Sequence, residues 1–338
     1  MRIMKTIGIT MAALAIPALG VQPVAAQAEA GKLARETAKE YRELARYPES
    51  SRAVKKGEAD PVREKRQPTR QSRRGNDTND PTLSVWASKV SYEKGQSVDL
   101  YASLEDRGKA VAAADKIVGE IVDAYGSVLA QVSYGDDGRG ADQRAGDGVY
   151  SGRLDASALA ATASYMVRVQ TRLADGDLLE AAGGFLVSAP ASRLTGRYRD
   201  SLRDGNLVIA AEVEVAESGR FHLAGTLYSA AGEPIGYAQA AASLEPGRQW
   251  IELSYYGLMF HDRQAAGPYK LGSLALSTTT RMPNALNDLV ENAYVTRPYR
   301  LQQMRSTSFE RPQLLETAKR LEIDAERAER EARGVERQ

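Results

Sequence analysis

Cysteine is missing from all 338 residues. That absence removes disulfides, thiolate nucleophiles and zinc–thiolate sites together. Histidine is nearly missing: His222 and His261 are the only two, which excludes a three-histidine metal centre and any H-E-x-x-H helix. An excess of one charge is missing as well. With 45 basic against 44 acidic residues and a net charge of +1, no global field recruits nucleic acid or an anionic membrane. There is no G-x-S-x-G elbow for a serine nucleophile.

Long apolar runs are confined to the N-terminus. "MRIMKTIGITMAALAIPALGVQPVAAQAEA" carries Arg2 and Lys5, an apolar stretch from Ile7 to Leu19, then small residues with cleavage expected after Ala26 or Ala28. This is the order of a secretory signal peptide, and its apolar core is too short to span a bilayer. No other run approaches the roughly 18 residues of a membrane span, so no transmembrane segment is expected. A lipoprotein would need a cysteine at the cleavage site, so lipid anchoring is not expected either. Residues 1–28 therefore read as a signal peptide, and the mature chain as periplasmic or secreted.

From residue 29 onward the chain reads as a helix, a basic linker, two β domains and a charged helix. In "EAGKLARETAKEYRELARYP", Ala30, Leu33, Thr37, Tyr41 and Leu44 recur at helical spacing until Pro48. From Ser51 to Arg74, nine basic residues face three acidic ones with little apolar surface to bury. Such a stretch is expected to be a flexible tether, so 29–80 reads as helix plus linker. An alternative role for it is contact with anionic lipid or polysaccharide.

Beyond residue 80 the period of the sequence becomes two. "SVDLYASLED" alternates Val98, Leu100, Ala102 and Leu104 with polar residues, and "YMVRVQTRL" repeats the pattern through Tyr165, Val167 and Val169. "KIVGEIVDAYGSVLAQVSY" reads as a hairpin turning near Tyr125 and Gly126. Alternation with closely spaced turn signals predicts antiparallel strands with one buried face each. The size of 81–190 fits an immunoglobulin-like sandwich. A second sandwich is expected over 191–303, opened by "NLVIAAEVEV", with Leu207, Ile209, Ala211, Val213 and Val215 inward and Glu212 and Glu214 on a solvated outer face. The predicted fold class is thus all-β: two tandem immunoglobulin-like antiparallel β-sandwiches flanked by helical or disordered terminal segments. In the tail, 304–338, Leu314, Ala318, Leu321, Ala325, Ala328 and Ala332 form a heptad seam. A seam made mostly of alanine buries little, so a weak dimer helix and a helix docked on its own domain stand behind the favoured expectation of a mostly solvated helix.

The chemistry, if any is legible, lies in "YGDDGRGADQRAGDGVYSG". Asp136, Asp137, Asp142 and Asp147 alternate there with six glycines. Glycines let carbonyls turn inward and carboxylates add hard oxygens, a combination that suits calcium. The spacing is not that of an EF-hand. The competing expectation is a glycine-rich connection whose aspartates cap turn amides, and a catalytic loop is the third.

The pattern from Asp136 to Gly152, "DDGxGxDxxxGDGVYSG", resembles the end-of-strand loop of β-sandwich modules in exported bacterial proteins. It is also similar to accessory sandwiches of calcium-activated chloride-channel regulators. The run "GRFHLAGTLYSAAGEPIG…WIELSYYGLMFHDRQAAGPYKLGSLALS", ending in "NDLVENAYVT", resembles a bacterial exported family of unknown function built from tandem immunoglobulin-like domains. The two resemblances span Leu83 to Tyr299. They imply the fold and no activity.

Other candidates carry less. His261, beside Asp262, is expected in a loop near Tyr269, and His222 on an outward strand face. Glu212 and Glu214 share the spacing of glycosidase carboxylates but sit where no cleft is expected. Among Trp250, Tyr255, Tyr256, Phe260 and Tyr269, only Trp250 and Tyr256 share the outward face and form a candidate ligand platform. The leading expectation is an exported, non-enzymatic interaction or scaffold protein whose partner is another exported protein or a cell-envelope glycan. A calcium-steadied carbohydrate-binding module is the alternative, and a hydrolase the third.

Overall fold

Alternating burial builds nearly every strand. Along Ala163–Arg172, Tyr165, Val167, Val169 and Thr171 are buried while their neighbours face out. In the computed structural model the described residues are 24–74, 80–111, 116–159, 161–173, 176, 178–278 and 285–335. Most of the signal peptide expected over 1–28 lies outside them.

In chain order the elements are helix α1 (Val24–Ala45), strand β1 (Ser51–Ala53), helix α2 (Pro61–Arg66), β2 (Gln71–Arg74), β3 (Thr82–Ala87), β4 (Ser91–Glu93), β5 (Val98–Asp106) and β6 (Lys109–Ala110). Next come β7 (Val118–Val122), β8 (Val128–Ser133), β9 (Val149–Leu154), β10 (Ala163–Arg172) and β11 (Leu178–Ser188). The rest are β12 (Ser192–Arg203), β13 (Asn206–Val215), β14 (Gly219–Tyr228), β15 (Pro234–Leu244), β16 (Gly247–Tyr255), α3 (Leu258–Asp262), β17 (Lys270–Thr278), β18 (Ala285–Leu286), β19 (Val290–Val295) and α4 (Pro312–Val335).

The strands form two sandwiches with separate cores. In the first, a sheet ordered β2-β3-β5-β6, with β9 also on β5, faces a sheet ordered β4-β11-β10-β7-β8. Leu83, Leu100, Ile121, Val167 and Phe185 lie in the core between them. In the second, β1-β15-β14-β17, with β18 and β19 both on β17, faces β12-β13-β16 around Phe221, Leu223, Leu253, Tyr255 and Leu276. Each large apolar side chain buried this way contributes about 1.5–3 kcal/mol. One pairing departs from the antiparallel expectation: β4 runs parallel to β11, Leu186 opposite Ser91.

Two expectations about the flanks are overturned. The segment from Ser51 to Arg74 is an ordered strap, not a tether. β1 adds to β15, with Arg52 opposite Tyr237, β2 adds to β3, with Ser72 opposite Ser84, and α2 between them is capped by Asp60. Its few apolar groups suffice because they are placed on one sheet: Val54 and Val62 form a small cluster with Tyr237 and Ala275. The C-terminal helix, though most of its residues stay exposed or half-exposed, is not free either. It packs antiparallel on α1, with Arg35 bridging Glu329 at 2.7 Å and Arg42 bridging Glu322 at 2.6 Å.

Small side chains explain the helix pairing. Gly31, Ala38 and Ala45 face Ala318, Ala325 and Ala332, all buried, whereas Leu33 and Leu44 of the expected α1 stripe are exposed. A methyl group at Gly31 would lie 3.3 Å from the Ala325 carbonyl oxygen. Close backbone approach replaces bulky burial. The end of α1 then docks on the second sandwich, where Tyr47 joins the core and its hydroxyl donates to Asp262.

Candidate functional site: acidic loop, carboxylate latches and outward aromatics

The acidic loop is closed by a two-way bridge between Gly135 and Ser151. Inside it the carboxylates turn on the backbone. Asp136 accepts from the amides of Gly146 at 2.6 Å, Asp147 at 3.3 Å and Gly148 at 3.0 Å. Asp142 accepts from Gly138 at 2.6 Å and Arg144 at 3.0 Å. The Gly138 amide, then that of Arg144, holds the Asp142 carboxyl below its ordinary range. Asp137 and Asp147 each cap an amide two residues on, at Arg139 and Val149. At Gly148 the need for glycine is concrete: φ is +80°, and a Cβ would sit 2.4 Å from that of Ala110.

The loop gathers three of its four candidate ligands. Asp136, Asp142 and Asp147 each offer an oxygen within 4.8 Å of the others, and Asp137 stays out of the group. Calcium takes six to eight oxygens, so three carboxylates fit it only with carbonyls or water completing the shell. Both Asp136 oxygens already accept N–H bonds.

The candidate platform does not form. Tyr256 is buried, its hydroxyl donates to the Thr307 carbonyl at 3.0 Å, and its ring packs edge-on against Tyr47 and Phe309. The chain past Met304 folds over the face that the strand alternation leaves open. Trp250 stays half-buried, with the Arg199 guanidinium 4.3 Å from its ring centroid. Glu212 is likewise buried rather than solvated: it accepts from the Thr195 hydroxyl at 2.9 Å and lies 3.6 Å from Arg197, while Glu214 remains exposed. His261 belongs to α3, not a loop, and its Nε2 contacts the Met304 carbonyl at 3.1 Å. His222 is half-buried on β14.

Sequence reading missed two carboxylate latches. Asp60 accepts from Thr226 at 2.6 Å, from Tyr228 and Ser273 at 2.5 Å each, and from the Val62 amide at 2.8 Å. Burial pushes its carboxyl up, but the hydrogen bonds from Ser273, Thr226 and Tyr228 outweigh that and leave it below the usual carboxylate range. Burial and the same bond push Tyr228 up to about 12. Asp200 repeats the arrangement with Tyr294 and Tyr299 at 2.5 Å each and Arg297 at 3.3 Å, and its carboxyl is also lowered against the push of burial. An aspartate before a proline at a helix start is a capping signal, so "DPV" at Asp60 was the one available clue. Also missed is an aromatic pair on the first sandwich: Trp86 and Tyr101 stack across β3 and β5 with centroids 5.5 Å apart.

Residues 191–289 match a family model described as "Domain of unknown function (DUF4785) C-terminal domain". That family has no assigned function and a β-rich fold. Among solved structures, the chain is similar to a DUF4785 family protein from Legionella pneumophila at 18% identity and a TM-score of 0.43, covering 66% of this chain and 57% of that one. It therefore spans just over half of that protein's length. It is also similar to a tetra-tandem repeat from the extending region of a large adhesion protein, at 16% identity, TM-score 0.25, 68% of this chain and 55% of that one. A third likeness, to alpha-2-macroglobulin from Escherichia coli, has 16% identity, TM-score 0.31, 64% of this chain and 14% of that one. No curated protein matches. No helix among the described residues is long and apolar enough to cross a membrane.

Proposed function

We propose that the chain is an exported, non-enzymatic interaction or scaffold protein. The observation that carries this reading is the use made of three enclosed carboxylates. Asp60, Asp142 and Asp200 are all held below their ordinary range by donated hydrogen bonds. A general acid or base needs a proton affinity near the working pH, and these groups are shifted away from it. They fasten strands, turns and the strap instead. Export rests on the basic, apolar and small-residue order of residues 1–28.

The test is a pull-down from periplasmic extract with the full mature chain, read together with the mass of its N-terminus. One stoichiometric partner and a first residue of Gln27 or Glu29 are the expected results. Hydrolase turnover that disappears in His261→Ala would sink the reading. A second reading, a calcium-steadied accessory module, is favoured by the convergence of Asp136, Asp142 and Asp147. It adds a cation to the same scaffold and leaves it non-catalytic.

A further inference from the structure

Three serines lie side by side across the outer face of the first sandwich. Ser72 on β2 is opposite Ser84 on β3, which is opposite Ser103 on β5. Taller rows flank them. On one side Arg74, Thr82 and Glu105 are in register; on the other, Trp86 and Tyr101. Because a serine side chain ends at its hydroxyl, the middle row is a sunken polar floor, with Ser84 and Ser103 almost fully covered. An open recess of about 380 Å³ stands over this end of the sheet, lined among the described residues by Arg70, Arg74, Arg107, Ser72, Thr82 and Glu105, with the Asp106 carboxylate 3.9 Å from Arg107.

The floor and walls are already organised. Ser72 and Ser84 share a hydrogen bond of 2.7 Å. Arg70 donates to Ser103 and to Glu105, and its guanidinium lies 4.5 Å from the Trp86 ring centroid. Arg107, whose side chain is largely exposed, is placed at the rim of the opening by a two-residue hairpin turn. It has φ +48° and Gly108 has φ +76° in the hairpin between β5 and β6. Two left-handed central residues define a turn type that favours asparagine and glycine. An arginine adopts that conformation at a cost, and such costs gather at functional positions.

We propose that this serine trench binds the acidic sugar units of an extracellular polysaccharide, a chain bearing uronate carboxylates. Guanidinium forks match carboxylates in two-point geometry. The hydroxyls of Ser72 and Thr82, which stay open beside the arginines, both donate and accept, as sugar hydroxyls require, while Ser84 and Ser103 form the covered floor beneath. The volume lies at the low end of the range for small-ligand sites, which fits one section of a polymer lying along the trench and not a protein face. Two of the three arginines come from the strap that the composition marks as a tether, so its basic residues act from fixed positions. The inference rests on the binding-protein reading above and names its ligand chemistry.

The test is calorimetry of the full mature chain with a galacturonate hexamer, with maltohexaose, inorganic sulfate and phosphatidylglycerol vesicles as separate arms. Binding of the uronate hexamer alone, weakening as salt rises from about 50 to about 300 mM, is expected. Arg74→Ala and Arg107→Asn should each weaken it about tenfold, with Arg107→Asn melting no lower than the parent. That last pairing separates ligand contact from structural support, because asparagine suits the turn better than arginine does. No uronate binding at about 10 mM, equal binding of maltohexaose or sulfate, binding of vesicles alone, or an affinity unmoved in both variants would each overturn the proposal. Failure of uronate binding in any of these ways, together with a protein partner retained by both variants, would leave the scaffold reading standing while the trench assignment fell.

Discussion

Asp60 Oδ2 accepts the hydroxyl of Ser273 at 2.5 Å although 213 positions separate them in the chain. With Thr226 and Tyr228 on the same carboxylate, one side chain fastens the strap to β14 and β17. Asp60→Ala would leave the two buried hydroxyls of Thr226 and Ser273, and the half-buried one of Tyr228, without this acceptor. The expected loss is about 3 kcal/mol, or a melting temperature lower by roughly 6–12 °C for a chain of this class. Asp60→Asn keeps one acceptor oxygen and should cost less. A melting temperature unchanged in Asp60→Ala would show that the latch holds nothing.

Acid should reverse the same latch. Asp60 and Asp200 have folded-state affinities for a proton below the ordinary value of 3.8. Their stabilisation is therefore complete above that value and lost as pH falls through the lower folded one. Melting temperature should hold from neutral pH to about pH 4 and then drop. Asp60→Asn and Asp200→Asn should each flatten that limb. On the alkaline side, Tyr228 and Tyr294 are raised from 10.0 to about 12. What they contribute is intact below 10 and declines as pH rises toward 12, so a second, alkaline limb is expected in the same measurement.

The strands were legible because burial at period two is written in single residues: Val98, Leu100, Ala102 and Leu104 are read as inward and are inward. The strap was not, because β1 and Asp60 at the start of α2 are fixed by partners more than a hundred residues away. Nothing local says that Asp60 will meet Ser273. Tyr256 fails for the same reason. Alternation extends the outer face of β16 to it, but the strand ends at Tyr255, and Tyr256 is buried in the core cluster under Tyr47 and Phe309, contacts that leave no trace in that alternation. The acidic loop was half legible. Four aspartates among glycines announce turns, yet which oxygens converge depends on φ values that only the closed loop fixes.

The helix pair offers a test of packing by small residues. Ala325 is fully buried against α1, close to Gly31. Ala325→Leu must push the backbones apart, at about 1–3 kcal/mol, and should reduce ellipticity at the helix minimum or bring an early melting phase. Leu33→Ala, at an exposed α1 position, should leave both measurements within error. Equal behaviour of the two variants would mean that the helices do not pair in solution.

Calcium divides the two accounts of the acidic loop. Extracellular sites bind at roughly 0.1–1 mM, so about 1 mM free ion would add only about 0.4–1.4 kcal/mol and raise melting by roughly 1–6 °C. A cation site built on Asp136, Asp142 and Asp147 predicts that EGTA removes this increment, that Asp142→Asn abolishes it, and that Asp137→Asn leaves it intact. A loop held by its amide caps alone predicts the same melting curve with calcium and with EGTA. In that case Asp136→Ala still lowers it, since three backbone N–H groups lose their acceptor. Gly148→Ala should destabilise under either account, because the new methyl meets Ala110 in a left-handed backbone whether or not an ion is bound.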